Sequence, residues 1–152
     1  MRTTGRFTAL LAACMTLSQV CAFASDNRVP DEQSIAALQA RAEQAQPRDQ
    51  CYLYAELVQQ MTELSLKQYA AGDVAKADGL LKRIQSFAGK IHHSISRNDK
   101  RLKNAQILLS KTAFRLTQML HSSDYYERPL VEQTLAKVND AQDATMMEVF
   151  QK

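Results

Sequence analysis

The sequence predicts an all-α protein, an antiparallel helical bundle of four long helices preceded by a short N-terminal helix. Three observations carry this. Apolar residues recur three and four positions apart through four successive segments, the spacing of one buried helix face. Turn and helix-end signals, Pro47, Gly72-Asp73 and Ser122-Ser123-Asp124 with Pro129, fall at three of the joins between segments. The composition suits helices. With 4 Gly, 3 Pro and no Trp in 152 residues, a β-sandwich or a glycine-rich nucleotide fold is disfavoured, and 45% hydrophobic with 23% charged residues suffices to bury one core.

The chain opens with Arg2 and Arg6 and no acid, then runs from Phe7 to Ala24 without a charge and ends Ala22-Phe23-Ala24 before Ser25. A basic start, an apolar middle and small residues before the cut are the pattern of a cleavable secretory signal peptide. Thr16, Ser18 and Gln19 make the run too polar for a permanent span. The expected organisation is therefore a signal peptide over 1–24, a short leading helix and linker over 25–47, and the helical-bundle domain over 48–152. The expected location is periplasmic or secreted. A minority alternative is a lipoprotein anchored through Cys14, because Leu11-Ala12-Ala13-Cys14 has a lipobox-like order, although the apolar run continues past the cysteine. Cleavage after Ala24 removes two of the 19 basic residues and none of the 16 acids, leaving a net charge of +1. It also leaves Cys51 as the sole cysteine, so an internal disulfide is ruled out and stability must come from packing.

The leading helix is expected over Asp31 to Ala45, closed by Pro47. Tyr54, Leu57, Met61, Leu64 and Ala71 form the next seam, interrupted at Gln68. Gly72 followed by Asp73 reads as a helix-ending glycine and then an N-cap. Val74, Ala77, Leu81, Ile84, Ala88, Ile91 and Ile95 make three heptads of seam, and Leu102, Ala105, Leu109, Thr112, Leu116 and Met119 repeat the spacing. The join at Ser96-Arg97-Asn98-Asp99 lacks glycine and proline, so a turn and a kinked continuous helix both fit it. Ser122-Ser123-Asp124 breaks the chain again, and Pro129 suits the first turn of a last helix. That helix carries the weakest seam, Val131, Leu135, Val138, Thr145 and Val149, with Ala141 and Met146 alongside. Short connections imply that consecutive helices are antiparallel neighbours.

Around Tyr69-Ala70-Ala71-Gly72-Asp73, with Leu64, Ala77 and Leu81 at the matching positions, the central hairpin resembles one tetratricopeptide unit. Met61 and Ser65 depart from that pattern, and a shift of 34 residues puts Gln106 where the next glycine belongs, so the resemblance implies a helical hairpin and no peptide-binding array. The stretches Gln46 to Leu57 and Asp99 to Ala105 are similar to an uncharacterised family of small exported all-helical bacterial proteins. This second resemblance implies export and a helical fold, and no chemistry.

No catalytic, cofactor-binding or metal-binding set is expected. None of His92, His93 and His121 has a glutamate three residues before it, as a di-iron bundle requires, and adjacent His92 and His93 point about 100° apart on a helix. Cys-x-x-Cys-His, Gly-x-Ser-x-Gly and His-Glu-x-x-His are absent. Cys51 would act as a nucleophile only beside a basic group that lowers its pKa, and burial is the plainer role for a lone thiol. Tyr54 belongs to a seam, whereas Tyr125-Tyr126 lies in a connection, where the pair either tucks under the bundle or faces a partner.

Charge is the feature above background. Lys82 to Arg115 holds nine basic residues and one acid, Asp99, so the rest of the processed chain is net acidic. Lys76, Arg83, Lys90 and Arg97 repeat every seven residues down one helix, and Lys100, Arg101 and Lys103 extend the stripe into the next turn. A solvated face and a surface for an anionic partner both fit it. The expected function is contact with a protein or an anionic envelope partner, without catalysis, without nucleic acid and without a transmembrane helix in the processed chain. The alternative is a periplasmic carrier of a small molecule, metal or haem in a pocket between helices.

Overall fold

The computed structural model describes residues 30–95 and 101–150. The expected signal peptide, and with it the alternative at Cys14, lies outside the described residues. Five helices follow in order: α1 (Glu32–Gln44), α2 (Pro47–Ala70), α3 (Val74–Ser94), α4 (Leu102–Ser122) and α5 (Arg128–Phe150). The fold is the all-α bundle that the seams predict, one short helix and four long ones, with no strand among the described residues.

Each boundary has a local cause. Asp31 caps α1: its Oδ1 accepts from the Ser34 amide at 2.7 Å, while Ser34 Oγ accepts from the Asp31 amide at 3.1 Å. The bond from the Ser34 amide, and then the Ser34 side chain, hold the Asp31 carboxyl below its ordinary value of 3.8. Pro47 opens α2, where its missing N–H goes unused. After α2 the Asp73 amide donates to the Gln68 carbonyl at 2.9 Å and the Gly72 amide to the Tyr69 carbonyl at 3.0 Å, a Schellman closure. Gly72 sits at φ +82° to make it. Nothing lies within 4 Å of a Cβ placed there, so Gly72→Ala pays only for its backbone conformation. A loss of about 1 kcal/mol with no change in helix content is expected, checked by urea denaturation followed by circular dichroism. Asp73 holds the N-cap position of α3 but makes no side-chain cap bond, and its carboxylate pairs with Lys76 Nζ at 3.3 Å instead. Before α5, Asp124 Oδ1 accepts from the Tyr126 and Glu127 amides at 3.0 and 3.1 Å, turning the chain at the expected break.

The seams of α3 and α4 are buried nearly as read. Ala77, Leu81, Ile84, Ala88 and Ile91 line one, with Val74 and Ile95 half-buried at its ends. All six residues from Leu102 to Met119 line the other. On α2, Tyr54, Leu57, Met61 and Leu64 are buried but Ala71 is exposed, and Cys51, Ala55, Val58, Thr62 and Ser65 widen the face because α2 has three neighbours. On α5 the seam is Val131, Thr134, Val138, Ala141 and Thr145. Thr134 replaces the expected Leu135, which with Val149 is half-buried, and Met146 faces solvent. A threonine can occupy that line because its hydroxyl bonds back within the helix: Thr134 Oγ1 donates to the Leu130 carbonyl at 2.7 Å, as Thr112 does to Leu108 and Thr145 to Ala141.

The arrangement of the helices differs from the expectation in one respect. α2 with α3, and α4 with α5, form antiparallel hairpins, but α3 and α4 make no close approach and stand on the diagonal of the bundle. Ile95 is extended, with ψ 123°, so α3 ends there and no continuous helix runs into α4; residues 96–100 lie outside the described residues. α4 packs instead along α2, and in the same direction. Arg101, just before α4, sits 3.4 Å over the ring of Tyr52 near the start of α2, while Arg115 late in α4 grips Glu63 late in α2. Charge gives the reason. α3 and α4 are net positive while α2 and α5 are net negative, and the diagonal separates the two cationic helices and flanks each with acidic ones. α1 lies against α2 and buries Ile35, Leu38 and Ala42 in the common core.

Candidate interaction surface

The residues of the predicted basic stripe meet different fates. α1 runs beside the stripe on α3, so Arg83 donates to Gln39 Oε1 at 3.0 Å and Lys90 Nζ approaches Glu43 at 3.6 Å. Lys90 also stands over the Phe87 ring at 4.8 Å, and Phe87 in turn stacks on Tyr54 with centroids 5.9 Å apart. Lys76 pairs locally with Asp73. Arg101 stacks on Tyr52, and Lys103 projects from α4 into solvent. Arg97 and Lys100 lie outside the described residues. The structure therefore brings Arg83 and Lys90 together with α1, while Lys103 belongs to a different face.

That other face went unread in the sequence. α4 contains no acid, and its side opposite the seam carries Lys103, Ile107, Lys111 and Phe114. Phe114 is 63% exposed and Ile107 is 47% exposed. No described acid lies within ion-pair distance of Lys103 or Lys111. The legible signal was the seven-residue interval between Ile107 and Phe114, out of phase with the seam. Beside Phe114 an open groove of about 420 Å³ runs between α4 and α2, floored by Gln59 and Glu63. Its wall is fixed by Arg115, whose Nε and Nη2 each donate to Glu63 at 3.0 Å while Nη1 donates to Gln118 at 2.8 Å. A second open groove, of about 480 Å³, lies by the α1–α2 turn among Arg41, Gln46, Asp49, Tyr52, Glu56 and Arg101. It is polar and already paired inside, Arg41 holding Glu56 at 3.2 Å.

The remaining candidates are placed plainly. Cys51 is fully buried in α2. His92 and His93 are exposed, their rings edge-on with centroids 5.7 Å apart. Among the described residues no three His, Cys, Asp or Glu side chains gather closely enough to hold an ion, and no helix is long and apolar enough to cross a membrane. Tyr125 and Tyr126 do not tuck under the bundle; they are more than four-fifths exposed, edge to face.

Tyr69 joins the two hairpins. Its hydroxyl, at the end of α2, donates to Glu127 just before α5. That bond, then burial, then the carboxylate's negative charge push the Tyr69 phenol above its ordinary 10.0. A raised folded pKa means a contribution to stability that is complete below pH 10 and lost as pH rises through the raised value. In an alkaline absorbance titration, Tyr69→Phe should remove a tyrosine step that lies above pH 10.

Comparison with family models, with curated proteins and with solved structures returned no match to this chain.

Proposed function

We propose that this protein is an exported, non-catalytic helical-bundle module that acts by contact with a protein or cell-envelope partner. The observation that carries the reading is the acid-free outer face of α4, where Ile107 and Phe114 stand exposed beside two cations with no described counter-ion. A large aromatic set beside a groove, within a cationic surround, supplies both the apolar anchor and the steering charge that recognition surfaces use. The signal-peptide pattern of residues 1–24 supports export. The exposed cations of α3, Lys76, Arg83 and Lys90, supply a second surface for an anionic partner.

The test is photo-cross-linking in the producing cell from a benzoylphenylalanine placed at position 114, with Ala36 on the exposed side of α1 as control. A discrete adduct from position 114 and none from position 36 is expected, on protein whose first residue is Ser25. Equal labelling from both positions would overturn the contact reading. So would turnover of a small substrate by the purified protein that a point substitution abolishes.

A further inference from the structure

We propose that a second copy of this chain covers the α4/α5 face, with α4 of each copy lying along α5 of the other. This rests on the contact-module reading and names the partner. The argument is the match between two outer helix faces. On α4, Lys103, Ile107, Lys111 and Phe114 recur at intervals of four, four and three residues. On α5, Ala136, Asp140, Asp143, Met147 and Phe150 recur at four, three, four and three. Both are unbroken helix stripes opposite the core seam. One is apolar and cationic, the other apolar and anionic. Met147 is 61% exposed and Phe150 is 79% exposed, and no described cation lies within ion-pair distance of Asp140 or Asp143.

The levels agree as well. α4 ends at Ser122 and α5 begins at Arg128, so in this antiparallel hairpin residues equally far from the turn share a level. Phe114, eight residues before Ser122, is level with Ala136, eight after Arg128. Lys111 is level with Asn139, next to Asp140; Ile107 is level with Asp143, and Lys103 with Met147. A two-fold axis parallel to the helices preserves these levels and sets α4 against the partner's α5 twice. Phe114 then meets a small alanine and Lys111 lies by Asp140, while Asp143 stands about one helical turn from both Lys111 and Lys103, within a lysine's reach, and Met147 about one turn from Ile107. Within one chain these two faces point outward and cannot meet, so a second copy satisfies what the monomer leaves open.

Sedimentation equilibrium on the full secreted protein tests this. The wild type is expected as a dimer that dissociates as salt is raised, because the paired charges lie at a surface. A Lys103→Glu, Lys111→Glu variant and an Asp140→Lys, Asp143→Lys variant should each self-associate roughly 100-fold more weakly, since like charges are set opposite each other. Their equimolar mixture should recover the dimer, because one contact then pairs the new glutamates with the new lysines and the other keeps the native pairs. Unchanged circular dichroism confirms that the substituted chains are folded. A monomeric wild type, variants that still dimerise, or a mixture that stays monomeric would each overturn the proposal. An adduct from position 114 to a different protein would do the same while leaving the contact-module reading standing.

Discussion

Leu109→Ala is expected to cost about 3 kcal/mol and to lower the melting temperature by roughly 10 °C, the largest single-residue effect in this fold. Leu109 is fully buried at the middle of α4, the helix that packs on α2 and on α5 together. Truncation opens a space in the core on the helix that packs against both α2 and α5, and close-packed helices have little freedom to collapse into it. The companion substitution is Leu135→Ala, which the seam reading of α5 would make equally severe. Leu135 is only half-buried because Thr134 takes the inward position. Its loss should cost under half as much as that of Leu109. Thermal unfolding of the two variants side by side checks the difference, and equal losses would show that the α5 phase is misassigned.

Removing α1 is the second large change. A chain beginning at Gln46 loses Ile35 and Leu38, both buried in the common core, together with the Ala42 contact. Burial of two aliphatic side chains of this kind contributes about 3 kcal/mol. Truncation also strips Arg83 and Lys90 of Gln39 and Glu43, leaving the cationic stripe of α3 bare. The expected product keeps its four long helices, melts at lower temperature, binds a hydrophobic dye and adheres more strongly to anionic vesicles at low salt. Unchanged stability would mean that α1 is a detachable leader. Reduced stability with unchanged vesicle adhesion would mean that the stripe is a solvated face.

The heptad seams made the α2–α3 and α4–α5 hairpins legible, because spacing along one helix is a property of the chain alone. Val131, Val138 and Thr145 were likewise readable on α5. The line between them was not, since a threonine whose hydroxyl bonds to its own helix passes for polar in a pattern of residue types. The candidate surface was legible only in part. The charge of Lys82 to Arg115 stands out in the sequence, but spacing could not tell that α1 would lie beside Arg83 and Lys90, nor that Ile107 and Phe114 would find no cover.

What the sequence determined by itself is the helix count, the boundaries set by Asp31, Pro47, Gly72 and Asp124, and most of the buried residues. Each depends on neighbours within about one turn, where backbone hydrogen bonding and side-chain spacing act directly. The tertiary structure alone decided which helices touch. α3 and α4 follow each other in the chain yet stand on a diagonal, because α2 offers a face wide enough for three partners and the two cationic helices are better placed apart. Such choices compare whole faces and their summed charges across the molecule, and no local pattern contains that comparison.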